Sequence, residues 1–351
     1  MTLHRRDFFA ILGRLGTCVL LPPRLLLEMS GLAGGLARLS APRFDAHTRV
    51  FGPAWVNRLR SLLETPEIKD AITTVEGHHI VAEMNRTGVE RALLISTAEA
   101  LGGDDPLWPP VSPSRERRDV REENNYTAAQ AAASSGRLIP FASVNPKRGY
   151  AVDELKRCLG DVGMRGVAVH FQGSDIRLRD PNHLQRLHAL FACAAERNVP
   201  VIAKIHNPNT EDSFEPELEL LLSRVIAPLP KLRLLIAHLG SGGADRHADE
   251  RCAVLLDALR RHPDVSRRIW LDCSAVFVDI AFSPRTDATA ERLSRLAQSL
   301  RAWAPDRLLW GSANMPDALE QARRIWPLGE AAWETMAASD GVRWLTGAAR
   351  P

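Results

Sequence analysis

Four histidines, a lysine, an arginine and an aspartate stand at or just beyond the C-terminal ends of short apolar runs: His47 with Arg49, His170, Lys204 with His206, His238, and Asp272 with Ser274. Thr97, Asn145 and Ser312 with Asn314 close the remaining runs. Imidazole titrates near neutrality, so His238 and His170 are the candidate general acid and base. A strand-end lysine forms a Schiff base with a carbonyl substrate where burial and a neighbouring cation favour its neutral form, which makes Lys204 the third candidate catalytic residue. Arg49 offers a two-pronged donor to carboxylates or phosphates, and Asp272 and Asn314 join it as candidate pocket residues. The opposing reading pairs Arg49 and Lys204 with Asp272 or another acid in a purely structural network. His47 and His206 are the candidate metal-ligating imidazoles.

The elements that must position these groups are visible as apolar, β-rich runs alternating with longer amphipathic segments. The runs span 43–51, 92–97, 138–144, 166–171, 200–206, 232–238, 268–274 and 307–312. Helical stretches lie between them at 127–134, 151–159, 181–197, 216–225, 249–261 and 289–303. Asp180 before Pro181 is a helix start of the expected kind, since proline fits the first helical turn. Eight strand and helix units in one chain predict an α/β fold, a single (β/α)8 barrel over 42–351, whose chemistry gathers where the strands end. A doubly wound open sheet is the rival, but no G-x-G-x-x-G or P-loop follows any strand. The segment 102–125, with Pro109-Pro110 and Arg115-Glu116-Arg117-Arg118, reads as a long surface loop able to cover the mouth. Gly240-Ser241-Gly242-Gly243 reads as a tight turn rather than a phosphate cradle. His78, His79, His183, His188, His247 and His262 fall on helices or loops, where solvated or capping roles prevail.

Several of these segments resemble the amidohydrolase-related family, the branch of the amidohydrolase superfamily that contains aminocarboxymuconate-semialdehyde decarboxylase. The likeness is carried by Phe44-Asp45-Ala46-His47, Gly136 to Pro146, Gly163 to Val167, Pro200 to Ala203, Leu229 to Arg233 with Ile236 to Gly240, and Asp306 to Ser312, in colinear order. The resemblance implies a hydrolase or decarboxylase acting on a small cyclic or carboxylated compound. It also implies one divalent metal held by an H-x-H pair on strand 1, a histidine on strand 5 and an aspartate on strand 8, with a strand 6 histidine activating water. His47 and His238 match that pattern, whereas the other positions fall on Arg49, Lys204 and Ala313. Arginine has no lone pair for an ion and a protonated lysine repels one. The expectation is therefore a diverged enzyme without a cofactor and with a cationic mouth suited to a small anionic ligand. The alternative is one divalent ion, zinc, manganese or iron, with His206, Asn314 or Asp317 filling the vacated positions. A rival of another class is a catalytically inactive barrel that binds small anions or partners an active paralogue.

Composition narrows the remaining classes. The chain of 351 residues carries 45 Lys+Arg against 42 Asp+Glu, and removing the first 41 residues, with Arg5, Arg6, Arg14, Arg24 and Arg38 against Asp7 and Glu28, leaves 40 of each. A body without surplus positive charge has no electrostatic footprint for nucleic acid. Cys158, Cys193 and Cys273 lie within apolar stretches, and no pair among the five cysteines, with Cys18 and Cys252, has C-x-x-C spacing, so buried thiols are expected. Residues 1–41 resemble a twin-arginine export signal, with Arg5-Arg6, Phe8 and a moderately apolar run too short for a membrane span. Export is the expectation and a cytoplasmic chain the alternative. Homo-oligomerisation is open, with no interface stripe in the sequence.

Overall fold

The computed structural model describes residues 44–62, 69, 72–103, 110–242, 248–274, 276, 287–303, 307–314 and 341–346. The segment resembling an export signal, along with Cys18, His247 and Asp317, lies outside them. Eight parallel strands run in chain order around one sheet: β1 Phe44–Arg49, β2 Arg91–Ile95, β3 Leu138–Ser143, β4 Gly166–His170, β5 Val201–Lys204, β6 Leu234–Ile236, β7 Ile269–Asp272 and β8 Leu308–Leu309. Ala46 N–H donates to the Trp310 carbonyl at 2.8 Å and Ala313 N–H to that of His47 at 2.9 Å, which brings the last strand back to the first. The architecture is a (β/α)8 barrel, as the alternation of runs predicts.

Side-chain alternation builds two cores from the same strands. Inward-facing Leu93, Ile95, Ile139, Phe141, Ala168, Ile202, Leu235 and Leu309 pack with Phe44 and Trp344 inside the barrel. Outward-facing Leu94, Ala142, Val167, Val169, Val201, Ala203, Leu234 and Leu271 pack under the helices against Leu155, Phe191, Leu221 and Leu255. The next inward positions after Phe141, Ala168 and Ile202 are Ser143, His170 and Lys204, so parity alone turns these polar groups into the mouth. Gly166 is needed below them, because a Cβ there would lie 2.2 Å from the Phe141 ring. No helix among the described residues is long and apolar enough to cross a membrane, and the four described cysteines, Cys158, Cys193, Cys252 and Cys273, are buried thiols with no disulfide among the described residues.

Three elements depart from the sequence expectation. Part of the supposed loop at 102–125 belongs to a 20-residue helix, Pro113–Ala132. Ser112 caps it by accepting from Arg115 N–H, and Pro113 occupies the first turn. Its charged run is the solvated face, while its buried face is itself partly polar (Glu123, Asn124, Thr127), so no apolar stripe betrayed the helix. β5 stops at Lys204, which puts His206 beyond the strand rather than in step with Lys204. β6 stops at Ile236, and His238 and Leu239 follow with φ of 54° and 53°, left-handed conformations that cost about 1–3 kcal/mol each for non-glycine residues.

Candidate active site

β1 carries the first device of the site. Its register against β2 runs Asp45 to Ala92 and then Thr48 to Leu94, so β1 holds one extra residue between them. Such a bulge resets which side chains face inward. Arg49 then pairs with inward-facing Ile95, and His47 meets β7 through a contact of its Nδ1 with Asp272 Oδ2 at 3.4 Å. Across the seam, Gly311 leaves the room this needs: a Cβ there would lie 2.8 Å from both His47 Cβ and Ser274 Cβ.

His47, His238 and Asp272 converge, each offering a ligand atom, with those atoms all within 4.8 Å of one another. Asp272 is fully buried. Its Oδ1 accepts from Ser274 N–H at 2.8 Å, from His238 N–H at 3.3 Å and from the Ser274 hydroxyl. Burial alone would raise its pKa, but the hydrogen bond and charge of His47, the charge of His238 and the Ser274 hydroxyl hold it below the usual carboxylate value. His238 Nδ1 sits 2.7 Å from the Ser274 carbonyl, which can only accept. Nδ1 therefore carries the proton and Nε2 keeps its lone pair, the tautomer control common behind metal-binding histidines. Burial, then the charges of His47 and Lys204, push the His238 pKa well below the ordinary histidine value. Burial likewise lowers that of His47, against the pull of Asp272. The two rings lie 4.7 Å apart, tilted by 41°.

The other candidates occupy the rest of the rim. Arg49 Nη1 donates to Glu99 Oε1 at 2.7 Å, a buried ion pair, and Glu99 also accepts from the Ser143 hydroxyl. His170 and Lys204 are register partners on β4 and β5, both buried. Burial and then Lys204 and Arg49 press the His170 pKa well below its ordinary value. His206 is buried beside Gly242, where a Cβ would lie 2.7 Å from its Nδ1, and it is not a member of the His47 group. Asn314 is committed to the barrel seam: its side chain accepts from Arg49 N–H at 2.8 Å and donates to the Arg49 carbonyl at 2.9 Å. The sequence reading missed Glu99, which stands two residues beyond Thr97 on the one-turn helix Ala98–Leu101 after β2. Extending each strand end by that turn would have found it.

A sequence profile of the amidohydrolase family matches residues 98–343. The chain belongs to the amidohydrolase family. No curated protein matches it. Among solved structures, this amidohydrolase is similar to 5-carboxyvanillate decarboxylase from Sphingomonas paucimobilis, with a TM-score of 0.61 at 15% identity over 87% of this chain and 99% of that one. It is also similar to a dihydroxybenzoic acid decarboxylase from a Polaromonas species, holding manganese and the inhibitor 2-nitroresorcinol, with a TM-score of 0.58 at 15% identity over 87% and 97% of the two chains. A protein assigned as a 2-pyrone-4,6-dicarboxylic acid hydrolase from Acinetobacter baumannii, with citric acid bound, gives 0.57 at 14% identity over 88% and 100%.

These observations correct the expectation of a barrel without a cofactor. That expectation rested on Arg49 and Lys204 as charges hostile to an ion, yet the Arg49 charge is answered by Glu99. His238 and Asp272, rather than His206, complete a donor group with His47. Two buried imidazoles whose pKa values lie below the ordinary histidine value, with a carboxylate whose pKa lies below its own, are donor types that suit a divalent metal.

Proposed function

We propose that this amidohydrolase is a divalent-metal-dependent lyase or hydrolase of small carboxylated cyclic compounds. The observation that carries the reading is the convergence of His47, His238 and Asp272 at the end of the barrel where catalytic groups gather. The decarboxylase with manganese among its structural neighbours supports the type of ion, and the named substrates of those neighbours support the class of compound.

Bound there, such an ion supplies Lewis-acid polarisation of a substrate oxygen or a more acidic water. The chain's own residues do the remaining work. Asp272 fixes the His47 ring, and the Ser274 carbonyl fixes His238 so that its Nε2 faces away from that contact. With Nδ1 held by the Ser274 carbonyl and its neutral form favoured by burial, His238 has its Nε2 lone pair as the donor to the ion. Burial of the whole group excludes bulk water and strengthens each electrostatic contact. The run Arg5-Arg6 with Phe8 supports export of the folded, loaded chain as part of the same reading.

Manganese titration by calorimetry, followed by a screen of carboxylated aromatics for carbon dioxide release or ring opening, tests the proposal. One ion per chain, lost in Asp272→Asn, with turnover that falls roughly a hundredfold or more in His238→Ala, is the expected result. Absence of metal binding by the folded chain overturns it, as does metal binding without turnover in a broad screen, which would favour a binding protein.

A further inference from the structure

The end of the barrel away from the mouth holds a cleft of about 990 Å³. Arg91 at the start of β2, Leu138 at the start of β3, Arg165 just before β4 and Pro200 just before β5 all line it. β3 enters there at Leu138 and delivers Ser143 to the mouth, so a rise of about 3.3 Å per residue separates the two ends by about 17 Å. A space of this size takes one small organic molecule.

The wall of the cleft has two characters. Leu138, Met164 and Pro200 are buried and apolar, whereas Arg91, Lys156, Arg165 and Arg197 are exposed around the same space. The backbone keeps that space open. Gly136 and Gly163 turn the chain with φ of 81° and 76°, and a Cβ at either of them, or at Gly160, would meet nothing within 4 Å.

The positive charge exceeds what surrounds it. No carboxylate lines the cleft among the described residues. Arg197 Nη1 donates to Cys193 Sγ at 3.3 Å, and Arg197 and Lys156 both act on that thiol, more strongly than Glu196 and Asp153 oppose them. Asp161, next to Gly160, acts on Arg157, which does not line the cleft. The helices Pro113–Ala132, Ala151–Gly160 and Pro181–Glu196 all end at the cleft. Each C-terminus carries roughly half a negative charge, so the three together answer less than half of the four cations.

We propose that this cleft is a second ligand site, which binds a small organic carboxylate with an apolar body. The body lies against Leu138, Met164 and Pro200, and the carboxylate takes its place among Lys156, Arg165 and Arg197. A neutral apolar molecule gains the floor alone and an inorganic anion the rim alone, so the combination selects molecules that carry both. None of the metal donors lines the cleft, and the site stands whether or not the reaction proposed for the mouth is correct.

Calorimetry of the full chain with octanoate and with neutral octanamide tests the site. Octanoate should bind roughly tenfold more tightly than octanamide or better, and the double variant Lys156→Gln, Arg197→Gln should lose most of that preference. Gly160→Trp, which puts a ring into the open space, should block both probes. His47→Ala, at the other end of the barrel, should bind octanoate as the wild type does. No octanoate binding, equal binding of the two probes, a preference intact in the double variant, or unchanged binding in Gly160→Trp overturns the proposal. Loss of octanoate in His47→Ala alone overturns it too, by placing the ligand at the mouth. Binding to vesicles containing phosphatidylglycerol without selection for octanoate would make the cleft a contact for a lipid surface, and the small-ligand site would fall.

Discussion

Arg49 and Glu99 form a buried ion pair at 2.7 Å across the β1 and β2 ends of the barrel mouth. The pair changes what Arg49 means. Taken by itself the arginine is a surplus cation at a position where a metal ligand is implied by family likeness. Answered by Glu99, it is a neutral unit whose Nε has no hydrogen-bond partner among the described residues.

Glu99→Gln removes half of that unit. Breaking a buried pair from one side leaves an uncompensated charge and typically costs about 3–5 kcal/mol. Urea denaturation should show a loss of that order. Manganese affinity should fall as well, by roughly tenfold or more, because an unanswered guanidinium then stands beside the donors. Unchanged metal affinity in a folded Glu99→Gln chain would show that Arg49 is too remote to matter to the ion.

Gly311→Ala tests the packing behind the donors. The added Cβ would sit 2.8 Å from His47 Cβ and Ser274 Cβ, distances that force a shift in β1, β7 or β8. Overpacking of this kind costs about 1–3 kcal/mol. A displaced His47 should also weaken metal binding, which calorimetry on the folded variant would measure. Metal affinity equal to wild type would mean that the seam relaxes without moving the histidine.

Glu123 gives the chain a pH-dependent stability. Burial raises its pKa to about 7, even though it accepts from Gly52 N–H, Trp55 N–H and the Thr97 hydroxyl. The folded chain therefore holds a proton that the unfolded chain, with an ordinary glutamate, releases near pH 4.5. The contribution is fully present below the unfolded value and is lost as pH rises through about 7, for a decline of about 2–3 kcal/mol between pH 5 and pH 8. Urea unfolding of wild type and Glu123→Gln at several pH values should show a shallower decline in the variant; parallel curves would assign the slope to other groups, of which Asp45, also raised to about 7, is the first to examine.

The fold was legible because eight apolar runs alternate with amphipathic segments, and each observed strand overlaps its run. The candidate residues were legible for the same reason, since strand ends in a barrel meet at one mouth. Their partnerships were not. The single-residue bulge in β1 follows from its register with β2, which no local pattern encodes. Asp272 becomes a donor beside His47 only because β7 and β1 lie near each other across the seam, 225 positions apart in sequence. The left-handed turn at His238 and Leu239 defies their own backbone preferences, so sequence extended β6 through it. The helix Pro113–Ala132 hid because the face it buries includes a glutamate, an asparagine and a threonine.

The floor of the barrel sets the traffic of any reaction above it. Phe141 fills the space left by Gly166 and stacks on Trp344 at 5.8 Å, while the helix Gly341–Thr346 presses Gly341 against Phe44. The molecule is thus a flask rather than a pipe. Whatever enters at the rim must leave by the same neck, so a small fragment cleaved from a ring-sized substrate has to slip past the larger remainder or wait behind it.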